Sequence, residues 1–138
     1  MEQELTIQQV AEATGLSTHT LRYYERCDLI APIHRDNNGH RRYSARDIAW
    51  IQFLTKLRMT GMPIRQIQQY ATLLRQQPDA VQARREILES HRQKVITQLQ
   101  KLQENLTVID WKIQHYKAIE ENLSQTFPQP NSPLLKGN

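Results

Sequence analysis

The sequence predicts an all-α fold with one small β wing, in which a compact set of short helices is followed by one long helix. Three observations predict it. Between Leu5 and Gln76, short stretches of helical periodicity are separated by Gly15, Pro32, Gly39, Gly61 and Pro63. Asn38-Gly39 sits in a polar loop flanked by basic and aromatic residues, which favours a hairpin tip. From Asp79 to Leu123 there is neither Gly nor Pro, and apolar residues recur every seven positions.

The first helix opens at Thr6. Thr6 with Gln9 reads as a capping box, since a hydroxyl and an amide can serve two orphan backbone N–H groups. Ile7, Val10 and Ala11 then share a face, and Gly15 ends the segment. Ser17 caps a second helix running to about Tyr24, with Leu21 turned into the core. Two short helices around a Gly-containing turn form a helix-turn-helix candidate. The segment from Ile30 to Tyr43 reads as the wing. Ser44 with Asp47 opens a third helix, in which Ile48, Ile51, Leu54 and Leu57 share one face, and Gly61 stops it. Pro63 suits the start of a fourth helix, with Ile64, Ile67, Ala71 and Leu74 facing inward. Pro78 separates it from the long helix.

In that long helix Leu88, Val95, Leu102, Ile109, Tyr116 and Leu123 fall seven apart, and Leu99, Leu106 and Ile113 form the companion row. Such an a/d seam over a helix of about 65 Å is too long to bury on a domain of about 75 residues. It calls for a partner helix, most simply the same helix of a second chain. An intramolecular helical hairpin would need a breaker, and none interrupts the segment. The fold class expected is therefore a winged helix-turn-helix domain (residues 1–77), a dimerising coiled-coil helix (78–123) and a flexible tail (124–138) with three prolines. The dimer seam comprises Leu88, Val95, Leu99, Leu102, Leu106, Ile109, Ile113 and Tyr116.

Charge points to a nucleic-acid partner through its distribution more than its sum. The net charge is only +4. From Arg35 to Arg65, however, seven basic residues (Arg35, Arg41, Arg42, Arg46, Lys56, Arg58, Arg65) face only Asp36 and Asp47, a patch suited to phosphate. In a helix-turn-helix the second helix enters the major groove. Thr18, His19, Arg22 and Tyr23 can share its outward face, and Ser17 can meet a phosphate while capping. Tyr24 is the better candidate for the core. In the wing, Arg35, Arg41 and Arg42 can neutralise phosphates, with Tyr43 packing beneath them and placing its hydroxyl on the DNA backbone. Arg58 is a further phosphate candidate beside the apolar row of the third helix.

Other classes find little support. No run of about 18 apolar residues marks a spanning helix. The start Met1-Glu2-Gln3-Glu4 is acidic and lacks the apolar core of a secretory signal. No Gly-rich phosphate loop, nucleophile elbow or metal-ligand pairing suggests an enzyme. No metal or cofactor is expected. The single cysteine, Cys27, excludes an internal disulfide. It is either an inert small residue at a helix end or a sensor thiol, favoured as thiolate by Arg26 and opposed by Asp28. A coiled-coil scaffold would account for residues 79–123 but not for the clustered arginines and tyrosines.

Leu5-Thr6-Ile7 with Val10-Ala11, Gly15-Leu16-Ser17, Thr20-Leu21-Arg22-Tyr23-Tyr24-Glu25, Asn38-Gly39-His40-Arg41-Arg42-Tyr43, Asp47-Ile48 and Leu57-Arg58 with Gly61-Met62 together resemble the MerR family of bacterial transcription regulators. The resemblance covers about Leu5 to Leu74 in register. It implies an antiparallel coiled-coil homodimer on a palindromic promoter operator of double-stranded DNA, cytoplasmic and associated with the nucleoid. The family bends and untwists a promoter whose elements are spaced too far apart, so that RNA polymerase can use it. Residues 118–127 hold none of the cysteines of metal-responsive members, and the chain lacks the cysteines that iron–sulfur members need. The tail is too short for the extra domain of drug-binding members. The chain is most similar to the small aldehyde-responsive members, yet where those carry a third-helix cysteine it has Thr55 and Lys56. The inducing small molecule stays open.

Overall fold

A computed structural model describes residues 3–125. Five helices follow one another: α1 (Ile7–Thr14), α2 (Thr18–Arg26), α3 (Ala45–Met59), α4 (Ile64–Gln76) and α5 (Val81–Gln125). The expected caps form. Thr6 and Gln9 make a reciprocal capping box on α1, as do Ser44 and Asp47 on α3, and the Ser17 hydroxyl accepts from the Thr20 amide on α2. Each supplies side-chain acceptors to N–H groups that have no partner inside the helix. Gly15 closes α1 at φ 76°, in the left-handed region where a Cβ is costly.

The chain divides into two units, Met1–Val95 and Ile96–Asn138. In the first, α1 packs on α2 and α3, and α3 packs on α4. The core joins Ile7, Val10, Leu21, Tyr24, Leu29, Ile33, Tyr43, Ile51, Leu54, Leu57 and Ile67. Ile87 and Leu88 pack against it from the first turns of α5. Thus the compact unit extends past the boundary expected near residue 77. Leu74, expected to face inward, is 39% exposed. It lies three residues beyond buried Ala71, close to the end of α4.

The β wing expected from the sequence is not formed by strands; the segment after α2 is a short hairpin-like loop, called the wing below. Among the described residues there is no extended strand, only two isolated antiparallel bridges, Leu5 with Tyr43 and Arg35 with Arg41. The turn between them is held by Asp36, whose Oδ1 accepts from the amides of Asn38 (2.9 Å) and His40 (3.0 Å). These side-chain acceptors add to the backbone hydrogen bonds from the Asp36 amide to the His40 carbonyl (2.9 Å) and from the Arg42 amide to the His34 carbonyl (2.8 Å). Of the Asn38-Gly39 pair, only Gly39 takes a positive φ, 81°.

The loop after α2 depends on contacts distant in sequence. Asp28 adopts φ 59°. Three consecutive carbonyls there each receive a side-chain donor: Cys27 from Gln68 (2.7 Å), Asp28 from Arg75 (3.1 Å) and Leu29 from Trp50 (2.8 Å). Helices α3 and α4 thus fix where α2 ends.

In the second unit α5 exposes Leu99, Leu102, Leu106, Val108, Ile109, Trp111, Ile113 and Tyr116. Helix α5 continues to Gln125, so the tail expected from residue 124 begins inside a helix. Its remainder, residues 126–138, lies outside the described residues. Among the described residues no helix is long and apolar enough to cross a membrane.

Candidate nucleic-acid interface

Helix α2 is amphipathic because Leu21 and Tyr24, three apart, both enter the core. The opposite face must then be outward. His19, Arg22 and Tyr23 are exposed there, while Thr18 is half-buried. Arg22 forms no ion pair among the described residues, which leaves its guanidinium available to a ligand. The Ser17 hydroxyl is engaged locally, 3.0 Å from the Thr20 amide and 2.9 Å from the Thr20 hydroxyl. Tyr23 lies beside Cys27, whose hydrogen bond raises the phenol pKa above its ordinary value. The phenol is therefore a neutral donor or acceptor near neutral pH.

A recess of about 330 Å³ lies between the start of α1, the outer face of α2 and the wing. Thr6, Ile7 and Gln8 form one wall, and Arg22, Arg35, His40, Arg41 and Arg42 the others. Four arginines line one concavity, and two of them, Arg22 and Arg35, form no ion pair among the described residues, which leaves a positive field suited to a polyanion.

The wing arginines differ in how they are held. Arg35 donates to the Gly39 carbonyl at 2.7 Å and keeps its charge uncompensated. Arg42 pairs with Asp36 at 3.2 Å. Arg41 pairs with Glu25 at 2.7 Å, and the other Glu25 oxygen accepts from the Ile33 amide at 3.4 Å. The Asp36 carboxyl is held below its ordinary pKa, first by the His40 amide, which outweighs the opposing cost of burial, and then by the Asn38 amide and Arg42. Glu25 and Asp36 organise the wing, and the sequence reading did not single them out. The signal for Asp36 was its acidity in a basic stretch, and Glu25 appeared only as the last residue of the Thr20–Glu25 motif.

Tyr43 requires a correction. It is fully buried, so its hydroxyl does not reach a DNA backbone. Paired hydrogen bonds with Leu5 (2.9 and 2.8 Å) fix the backbone of Tyr43, and its side chain lies within the core. The hydroxyl has no hydrogen-bond partner, and burial raises its pKa. Arg58 is exposed and leans on the core, donating to the Tyr24 hydroxyl at 3.2 Å with its guanidinium 5.6 Å from that ring's centre. Cys27 is half-buried at the C-cap of α2.

The seam residues separate into two groups. Leu88 packs on the core of its own chain, which makes its expected place in a dimer seam a correction. Val95 is half-buried. Leu99, Leu102, Leu106, Ile109, Ile113 and Tyr116 are exposed at alternating spacings of three and four, the pattern of a coiled-coil face without its partner. Val108 and Trp111, outside those rows, are also exposed.

Comparison with known proteins agrees with this geometry. Residues 5–74 match the family model described as MerR HTH family regulatory protein, and residues 48–112 match one described as MerR, DNA binding. The chain is 42% identical over 92 residues to the HTH-type transcriptional regulator AdhR of Bacillus subtilis, covering 67% of this chain and 66% of that one. It is similar to the crystal structure of a MerR family transcriptional regulator from Listeria monocytogenes, with TM-score 0.81 and 35% identity over 88% of this chain and 96% of that one. It is also similar to HiNmlR, a MerR family regulator lacking the sensor domain, whose structure was solved bound to promoter DNA. There the TM-score is 0.77 and the identity 28%, over 88% of this chain and 94% of that one.

Proposed function

The chain belongs to the MerR family of helix-turn-helix regulatory proteins, and from that premise we propose that it is a DNA-binding transcription regulator acting as a homodimer on a palindromic promoter operator. The single observation that carries the reading is the arginine-lined recess beside the exposed face of α2. HiNmlR, similar over 88% of this chain, was captured on promoter DNA. In this reading His19, Arg22 and Tyr23 meet base edges, with Ser17 and Thr18 at the groove's edge. Arg35, Arg42 and Arg58 meet phosphates, and the hairpin around Gly39 serves as the wing.

The exposed stripe from Leu99 to Tyr116 pairs with the same stripe of a second copy, antiparallel. Functionally, the DNA-binding part takes in residues 1–77 together with the first turns of α5. Dimerisation falls to the rest of the helix. Two winged units held by one coiled coil can grip two half-sites at once. Bending and untwisting the DNA between them costs several kcal/mol, offset by contacts made only on the bent form. That distortion is how the dimer makes a poorly spaced promoter usable by RNA polymerase.

Fluorescence anisotropy on a library of palindromic duplexes tests the reading. Selection of one palindrome, bound with two protomers per duplex and weakened steeply by salt, is expected. Uniform weak binding to every duplex would reduce the chain to a coiled-coil protein with a basic patch.

A further inference from the structure

We propose that Glu25 is a positioning residue for DNA binding, fixing the wing against α2, and that Arg41 is its partner in this clamp and not a phosphate ligand. The inference rests on the DNA-binding reading above and deepens it. Glu25 lies one helical turn beyond Arg22, near the end of α2. Its two oxygens reach the two arms of the hairpin, one to Arg41 Nε at 2.7 Å and the other to the Ile33 amide at 3.4 Å. The bridge between Arg35 and Arg41 ties those arms together. Asp36 binds only groups of the wing itself: the amides of Asn38 and His40, and the Arg42 side chain. Asp36 therefore shapes the wing, and Glu25 docks it.

The side chains of Arg41 and Glu25 are only 19% and 18% accessible. Their charges cancel, so the pair adds little to the net charge that releases counterions from DNA. Held at one oxygen distance from α2, the wing presents Arg35 and Arg42 beside Arg22, around the recess they line together.

The clamp predicts a sign opposite to simple electrostatics. Removing a carboxylate near DNA should tighten binding if Glu25 merely repels phosphate. If Glu25 positions the wing, Glu25→Ala weakens palindrome binding by about tenfold or more, and Glu25→Gln, which keeps an acceptor, restores part of the loss. Arg41→Ala weakens binding similarly while the log–log salt slope stays that of the wild type. A phosphate ligand would instead lower the slope by about 0.9. The Glu25→Ala, Arg41→Ala double variant is no weaker than either single one, because both remove the same clamp.

Amide hydrogen exchange supplies an arm without DNA. Glu25→Ala should speed exchange at Ile33 and Arg42 and leave the α3 amides unchanged. Tighter binding by Glu25→Ala, additive losses, or unchanged exchange at Ile33 each overturns the clamp. Failure of the wild-type chain to bind any duplex overturns the DNA-binding reading instead, and the exchange arm still decides the clamp.

Discussion

The His91 Nε2 of α5 lies 2.7 Å from the Thr60 hydroxyl at the C-cap of α3. Thr60 Oγ1 also lies 2.8 Å from the Lys56 carbonyl and 3.1 Å from that of Leu57. The hydroxyl proton is therefore committed to a carbonyl, and Nε2 must carry the hydrogen it donates to Thr60. His91 is buried, and Ile87 and Leu88 pack on the core one turn before it. This contact ties the start of α5 to the end of α3.

Thr60→Val should accordingly destabilise the N-terminal unit by about 1–3 kcal/mol, since it leaves a buried donor unpaired. Urea unfolding followed by circular dichroism checks it. A variant as stable as the wild type would show that the bond carries no net stability.

Arg22→Ala should remove sequence-specific binding while the fold stays intact. The side chain is exposed and forms no ion pair among the described residues, so its loss breaks no salt bridge there. A bidentate base contact is worth about 1–3 kcal/mol of discrimination. Anisotropy with cognate and scrambled duplexes reads the change, and an unaltered preference would remove Arg22 from the base-reading face.

Acid should loosen the wing tip at a pH set by Asp36. Its pKa is lowered on folding, chiefly by the His40 amide. Its contribution is therefore present above the unfolded carboxylate pKa and is lost as pH falls through the lower, folded value. Nuclear magnetic resonance of the Gly39 and His40 amides should show this transition below the ordinary aspartate range. Asp36→Asn should abolish it.

The double variant Leu102→Asp, Leu106→Asp should be monomeric. These leucines are 67% and 54% exposed in the single chain, and each contributes about 1.5–3 kcal/mol when fully buried. A charge placed in that apolar stripe is costly without a partner. The N-terminal unit has its own core and should keep its helical signal. Sedimentation equilibrium gives the answer. A persistent dimer would mean that another surface holds the two copies.

Much of the fold follows from short-range chemistry and was legible as such. Thr6 with Gln9, Ser17, and Ser44 with Asp47 cap the helices they were expected to cap. Leu21 and Tyr24 are buried and Tyr23 is exposed, as helical spacing requires. The site was harder to read. Basic residues cluster in sequence, but which of them stay unpaired depends on carboxylates from elsewhere. Arg41 meets Glu25 across sixteen positions and is thereby neutralised, whereas Arg22 meets none among the described residues.

The sequence by itself determined where α1, α2 and α3 start, and which faces of the short helices are apolar. Those properties depend on neighbours within about four residues. Tertiary structure alone decided three other things. It sank Tyr43 into the core and shrank the wing to two bridges. It spent Leu88 on the chain's own core and left Leu99 to Tyr116 uncovered. It closed the loop after α2 with donors from Trp50, Gln68 and Arg75. The physical reason is common to all three: burial and hydrogen-bond satisfaction are settled by whatever surface arrives from far along the chain, and periodicity carries no record of that arrival.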